Sequence, residues 1–416
     1  MNFRHLNLCL ATSFVFLLSC QKDQEQQPPP PQPTTEQQVN LSFVDNFGSS
    51  NYELIITDST GKYVLDTVLP VNKMISSKFL SNDTKFNITT IEFTSINLFR
   101  VKTYYQVSLK QWYVNQYFIE VYKPQTPDLP QGPTVTYTNI PAIDFALPIP
   151  TFCSGTGAGY NGTKQIITLD YRRPDPYYSY LLIPSRRLYK FHQTITNHDT
   201  VSLSKMDTSL SVNYKTPFEM APYGGWRELV GYKKKDDYLT YTKLWDGAGD
   251  ANKIYGDIMY PRSGVEQYLV RYFAQDKLGK MHYTVALADT MPTTLEFLDD
   301  SYINVTKKST NNYEVNFPKG NPTMYSINLR NDKLDWEILL PPGKTSFNGT
   351  DKLIDLQKAQ LLKSFDFTTV KPAYVNLIKA DNYNYYDYLD ILFDPNAKSS
   401  IQKIKKYMQF ATTDGL

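Results

Sequence analysis

Cysteine is the scarcest residue of this 416-residue chain, with three copies at positions 9, 20 and 153. Cys9 lies inside an N-terminal apolar segment and Cys20 directly follows that segment, so Cys153 is the one thiol in the rest of the chain. A disulfide within that part is excluded, and so is a zinc site built from cysteine thiolates. The fold must therefore be stabilised by packing.

Histidine is almost as scarce, with four copies, and the common catalytic motifs are absent. The chain has no Gly-x-Ser-x-Gly, no His-Glu-x-x-His and no phosphate-binding loop. His192 and His198 are spaced wrongly for one helical face, which favours structural histidines over a metal pair. We predict no catalytic residue, no metal site and no cofactor.

Two acidic segments offer weaker alternatives. Glu296, Asp299 and Asp300 supply carboxylates, but nothing in the sequence supplies the opposed pair that glycoside hydrolysis requires. The glycine-rich segment 246–252 has oxygen ligands at spacings that calcium accepts, but it lacks the glutamate and the order of an EF-hand. A plain turn is the favoured interpretation there, and a hydrolase with an unrecognised site is the least favoured function.

Neither sign of charge dominates, since 43 Lys and Arg residues face 41 Asp and Glu residues, for a net charge of +2. The basic run 233–235 is followed at once by Asp236 and Asp237. Such a balance gives no argument for a nucleic-acid partner.

Helical periodicity is rare, and most periodic segments alternate apolar and polar residues, as strands with one buried face do. Two such segments on either side of a short turn predict a hairpin. The clearest hairpins span residues 52–68, 268–287 and 325–340, and the best helical patterns span residues 352–364 and 399–410. The sequence predicts an all-β fold with few short helices.

The N-terminal segment has the pattern of a secretory signal at residues 1–19, with Arg4 ahead of an apolar stretch too short to span a bilayer. The residues Leu17-Leu18-Ser19-Cys20 resemble the lipobox of bacterial lipoproteins, and the charged segment 21–25 resembles the export signal of surface lipoproteins of the Bacteroidota. The resemblance implies acyl chains such as palmitate on Cys20 and a lipid anchor in the outer membrane, facing outward. A soluble secreted protein with Cys20 incidental is the alternative to the lipobox, and a generic charged spacer is the alternative to the export signal.

A disordered tether is predicted at residues 20–38, which contain five prolines and almost nothing apolar. At about 3.1 Å per residue in polyproline II, it would hold the folded part up to roughly 55 Å from the lipid.

Breaks in the strand pattern predict tandem antiparallel sandwiches that resemble immunoglobulin or fibronectin type III domains. A Pro-rich linker at 124–136 closes an N-terminal β-sandwich domain at 39–123. A middle β domain at 137–291 and a C-terminal β-sandwich-like domain at 292–416 follow. One larger β domain over residues 137–416 is the alternative.

Aromatic residues provide the remaining functional signal, because 33 tyrosines outnumber 22 phenylalanines. Tyr and Trp present a flat apolar ring with a hydrogen-bonding rim, which suits sugars and protein hot spots alike. Trp112 and Trp336 lie in strand patterns and are predicted core residues. The candidate ligand-binding residues lie beside glycines: Tyr223, Trp226 and Trp245. We predict a non-catalytic binding module for glycan or protein ligands, with a structural subunit of an outer-membrane complex as the alternative.

Overall fold

The structure is a computed structural model, and it describes residues 35–44, 51–70, 74–94, 96–109, 111–115, 134–141, 152–153, 157–161, 166–170, 179–192, 198–237, 241–248, 257–309, 312–348, 356–393 and 405–412. Strands dominate the described residues, and the one α-helix among them, α1, is Tyr385–Phe393. The prediction of a mostly β chain with little helix is therefore confirmed.

The first half of the chain contributes strands β1 (Thr35–Val44), β2 (Asn51–Thr57), β3 (Tyr63–Pro70), β4 (Met74–Ser81), β5 (Phe86–Phe93), β6 (Phe99–Val107), β7 (Gln111–Asn115), β8 (Thr134–Thr138), β9 (Phe152–Cys153), β10 (Gly157–Asn161), β11 (Ile166–Asp170), β12 (Ser179–Ile183), β13 (Leu188–His192) and β14 (His198–Ser202). The second half contributes β15 (Asp207–Thr208), β16 (Leu210–Val212), β17 (Met220–Tyr232), β18 (Tyr241–Ala248), β19 (Ile258–Tyr260), β20 (Gln267–Asp276), β21 (Met281–Ala288), β22 (Asn304–Ser309), β23 (Asn312–Asn316), β24 (Met324–Arg330), β25 (Leu334–Leu340), β26 (Ser346–Asn348), β27 (Lys371–Ala380) and β28 (Lys406–Thr412). Short 3-10 turns are Pro184–Arg186, Asp300–Tyr302, Leu356–Lys358 and Phe367–Thr369.

A twelve-stranded sheet dominates the fold, in the order β18-β17-β20-β21-β28-β27-β24-β25-β6-β5-β2-β3. Every neighbouring pair in it is antiparallel except β25 and β6, which are parallel. Smaller sheets are β4-β1-β7, β10-β11-β8-β14, β15-β13-β12-β9, β16-β19 and β22-β23-β26. The three predicted hairpins are confirmed as the antiparallel pairs β2/β3, β20/β21 and β24/β25.

The two faces of the large sheet bury different cores because successive residues of a strand point to opposite sides. We call the side against which α1 packs the helix face; its core includes Leu54, Leu339 and Ile378 together with Tyr385 of α1. The opposite face carries two further core clusters, one around Ile338 and one that contains Leu229, Val270 and Tyr272.

The large sheet takes strands from all three predicted segments, so they are not clearly separated into tandem sandwiches. The reason is long-range pairing, since β6 of the first segment bonds to β25 of the last. The segment boundaries themselves stay predictions. Residues 35–38 of the predicted tether pair with β4, and residues 134–136 of the predicted linker lie in β8. The signal, Cys20 and residues 124–133 lie outside the described residues.

Both predicted helices, at residues 352–364 and 399–410, are wrong where the structure describes these segments. The segment 356–364 forms a 3-10 turn and further turns, because the buried Glu53 carboxylate accepts hydrogen bonds from the Gln360 and Leu361 backbone N–H groups, at 2.6 and 2.7 Å. In an α-helix those N–H groups would bond to carbonyls four residues earlier. Residues 406–410 of the predicted helix at 399–410 instead lie in β28, which pairs on both edges inside the large sheet.

Candidate functional site

A row of aromatic side chains crosses three neighbouring strands on the helix face. Trp226 of β17 pairs with Phe273 of β20, Phe273 pairs with Tyr283 of β21, and Tyr283 pairs with Gln409 of β28. Because directly paired residues project from the same side of a sheet, all four share one face, with strands about 4.8 Å apart. We call Trp226, Phe273 and Tyr283 the aromatic row.

The three rings of the aromatic row are half-buried. Tyr283 packs against the helix-face core and contacts the Tyr407 ring edge-on, with the centroids 6.0 Å apart. Trp226 and Phe273 are members of none of the four hydrophobic core clusters of the described residues. The row is therefore anchored at its Tyr283 end and partly open to solvent along its length.

A buried ion pair lies directly beside the aromatic row. Glu228 and Arg271 are paired across β17 and β20, and Arg271 Nη1 donates a hydrogen bond to Glu228 Oε2 at 2.6 Å. Their side chains are 8% and 7% exposed, respectively, and Lys243 Nζ approaches the other carboxylate oxygen at 3.5 Å. Since each residue is two positions from a ring of the row on the same strand, the pair fixes the strands that carry Trp226 and Phe273.

Trp245 corrects the sequence prediction, because it is only 2% exposed and lies in the opposite-face core cluster that contains Leu229. The strands β17 and β18 pair Leu229 with Trp245 but Val230 with Lys243, which leaves Leu244 as an extra residue in a bulge. The bulge lets Leu244 and Trp245, although consecutive, both enter that core. A ligand in solvent cannot reach the Trp245 ring.

Gly231 makes the packing of Leu244 possible. A Cβ at this position would lie 2.7 Å from Leu244 Cδ1 and 2.9 Å from Val265 Cγ2. The glycine therefore lets β17 approach the bulged strand β18 closely.

Some predicted residues have side chains that the structure does not describe: Tyr223 of β17, Trp112, Cys153 and Asp246. Residues 249–252 of the predicted turn at 246–252 lie outside the described residues altogether.

The histidines have structural partners. His192 Nε2 lies 3.0 Å from Asp199 Oδ2, and His198 Nδ1 lies 2.7 Å from Thr134 Oγ1. In the described part of the chain, no group of three or more His, Cys, Asp or Glu residues is arranged to hold a metal ion.

The three acidic candidates also have separate structural partners. Glu296 forms an ion pair with Lys406 at 2.5 Å, and Asp300 forms one with Lys280 at 2.5 Å. Asp299 accepts a hydrogen bond from the Ser301 backbone N–H at 2.9 Å and so begins a 3-10 turn. The arrangement does not bring the three carboxylates to one pocket.

A groove of about 500 Å³ lies at the start of α1, and we call it the tyrosine groove; it is lined by residues 321–323, 341–343 and 379–386. Tyr385 is buried, and its hydroxyl donates to the backbone carbonyl oxygens of Tyr105 and Leu339, at 3.0 Å each. Tyr386 is half-buried and has Lys85 Nζ 4.0 Å from its ring centroid. The tyrosines at the start of α1 therefore serve partly to fix the helix on the sheet.

Two members of the aromatic row, Phe273 and Tyr283, were missed at the sequence level. The signal was present, because both lie in the predicted hairpin 268–287, and counting outward from its turn pairs them. Trp336, predicted to be core, is half-buried against the opposite-face core cluster around Ile338 and donates from Nε1 to Thr103 Oγ1 at 3.0 Å.

Comparison with known proteins gives little. No family model and no curated protein matches the chain. A crystal structure of a candidate adhesin from Bacteroides ovatus aligns over 58% of this chain and 73% of its own, at 10% identity and a TM-score of 0.11. That score carries no argument about fold or function. Among the described residues, no helix has the length and apolar character needed to cross a membrane.

Proposed function

We propose that this chain is a lipid-anchored binding protein of the bacterial outer surface, and that the aromatic row binds a glycan. The observation that carries the proposal is the set of three half-buried rings on adjacent strands, held in place by the buried Glu228–Arg271 pair. Aromatic rings offer flat apolar faces to the C–H groups of sugars at low cost in side-chain entropy. Because β-strands carry the rings, little reorganisation is needed on binding.

Replacing Trp226 by alanine tests the binding role. We expect binding to weaken by about 1–3 kcal/mol, roughly five- to 150-fold in Kd, with little change in melting temperature, since the ring is half-buried and belongs to no core cluster of the described residues. The measurement is binding to an array of plant, mucin and bacterial glycans, followed by titration of the best ligand. Trp226→Phe is the matched control and should keep most of the affinity.

Two results would contradict this role of Trp226. One is unchanged binding in the alanine variant. The other is a large loss of stability, which would make the ring a structural residue. Retention of a protein partner with no glycan bound by the wild type would favour the alternative of a structural subunit in a surface complex.

The anchoring proposal has its own test at Cys20, which lies outside the described residues. Lipidation modifies the Cys20 thiol, so Cys20→Ala should abolish labelling by a palmitate analogue. The variant should also either leave the membrane fraction or keep its signal segment uncleaved. Cys153→Ala is the matched control and should change neither property. A labelled, membrane-bound Cys20→Ala variant would show that the lipobox interpretation is wrong.

A further inference from the structure

Next to the aromatic row, the helix face carries a polar patch that we call the polar basin, formed by Lys102, Ser326, Asn328, Glu337, Tyr374 and Asn376. These residues come from the neighbouring strands β27, β24, β25 and β6. Their pairing places them on one side of the sheet, since Asn376 pairs with Ser326, Tyr374 pairs with Asn328, and Asn328 and Lys102 both pair with Glu337. The polar residues therefore begin at the edge of the apolar core on this face.

The charged groups of the basin neutralise each other. Lys102 Nζ lies 3.2 Å from Glu337 Oε2, and Ser326 Oγ donates a hydrogen bond to Glu337 Oε1 at 2.9 Å. The Glu337 carboxylate raises the pKa of Lys102 above its ordinary value, so the lysine stays charged and paired. The next row of paired residues on this face alternates in sign: Arg330, Asp335, Arg100 and Glu92. Cations and anions are therefore equal in number, and this part of the face has no excess charge to attract an ionic ligand.

Hydrogen-bonding capacity is what the basin has in excess. Asn376 is 9% exposed, and its Oδ1 accepts no hydrogen bond within the described part of the chain. Buried polar atoms without partners are rare in native proteins, and their usual explanation is a ligand, an ion or a water molecule. Burial raises the pKa of Tyr374 to about 12, so its hydroxyl remains protonated and can donate.

The basin is open to solvent, because the side chains of Lys102 and Glu337 are 38% and 23% exposed. It is also continuous with the aromatic row. Gln409 pairs with Tyr283 at the end of the row, and two residues further along β28, Ala411 pairs with Asn376. Four strand spacings, about 19 Å, separate Trp226 from Asn376 across the sheet.

We propose that the aromatic row and the polar basin form one binding track for an uncharged oligosaccharide, whose sugars stack on the row at one end and whose hydroxyls hydrogen-bond to Asn376 and Tyr374 at the other. The inference rests on the proposed glycan-binding function and adds the ligand's length and charge. An ionic polymer does not suit a basin whose own charges are paired. A disaccharide is too short to reach from Trp226 to Asn376.

The test is calorimetric titration of the full chain in detergent with neutral hexasaccharides, namely those of cellulose, xylan, mannan and amylose, and with the corresponding disaccharides. The wild type should bind one hexasaccharide at least tenfold more tightly than its disaccharide. Asn376→Leu should lower hexasaccharide affinity to the disaccharide level and leave disaccharide affinity unchanged. Asn304→Leu, at an exposed position of β22 outside the large sheet, is the matched control.

The possible failures differ from one another. If the wild type binds none of these saccharides, the track is overturned, and the proposed function fails with it only if the glycan array also gives no ligand. If the wild type binds both lengths equally, or if Asn376→Leu leaves hexasaccharide affinity unchanged, the track is overturned while the proposed function stands. Tyr374→Phe removes only a hydroxyl and gives the same readout if Asn376→Leu does not fold.

Discussion

Replacing Trp245 by alanine should lower the free energy of unfolding by about 3–5 kcal/mol, because truncating a buried tryptophan removes its burial free energy and leaves a cavity. The side chain is 2% exposed and packs in one opposite-face core cluster together with Leu229 and Leu244. Urea denaturation would show the loss as a lower midpoint.

Trp226→Ala is the natural comparison for this loss, since it makes the same chemical change on the neighbouring strand. Trp226 is half-buried on the other side of the sheet, so its removal should cost much less stability. Equal losses at the two positions would mean that the two tryptophans do not differ in packing as the structure places them. A smaller loss at Trp245 than at Trp226 would reverse their assignments.

Replacing Arg271 by methionine should also cost about 3–5 kcal/mol, because it leaves the buried Glu228 carboxylate without its main counterion. Lys243 remains at 3.5 Å from Glu228, but its side chain is 36% exposed and water screens its charge. The variant should therefore unfold at a lower denaturant concentration than the wild type. The same substitution should disturb the aromatic row, since Phe273 lies two residues away on the strand.

The double variant Arg271→Met/Glu228→Met isolates the pairing effect. Replacing both members of a buried ion pair by apolar residues is often close to neutral, so the double variant should be more stable than Arg271→Met alone. If the two single losses simply add in the double variant, the pair does not stabilise the strands by mutual attraction. The proposed rigidity of the aromatic row would then need another source.

Local patterns predicted the hairpins well. In each hairpin the alternation of apolar residues and the turn residues indicate the same strand pairing. The structure contains that pairing in β2/β3, β20/β21 and β24/β25. What no local pattern contains is the order in which hairpins assemble. The parallel contact between β6 and β25 joins segments far apart in the chain, and it merges the first predicted segment with the last.

The helix α1 had a local signal that was overlooked among the tyrosines. Asn384 accepts hydrogen bonds at Oδ1 from the Tyr386 and Asp387 backbone N–H groups, at 2.8 and 3.1 Å. Asp387 Oδ2 in turn accepts from the Asn384 backbone N–H at 3.2 Å. This reciprocal arrangement is a capping box, which an Asn followed three residues later by an acidic residue can indicate in a sequence.

The candidate site was predicted only in part. Trp226 and Trp245 both lie beside glycines, so local sequence gives them the same ranking, yet one is half-buried and the other is core. Their difference depends on the bulge in β18 and on distant residues such as Tyr214 and Ile258, which belong to the core that covers Trp245. Asn376 could not be selected from the sequence, because its unsatisfied oxygen depends on neighbours from the two flanking strands, β24 and β28.

The parallel junction between β6 and β25 has a consequence for biosynthesis. The partner of β6 is about 230 residues further along the chain, so at roughly 5–20 residues per second a ribosome needs on the order of 10–45 s to supply it. Until then β6 has one open hydrogen-bonding edge, which can pair with another chain. A nascent chain that folded its N-terminal strands early would expose this edge, whereas one kept unfolded until synthesis ended would form β6 and β25 together.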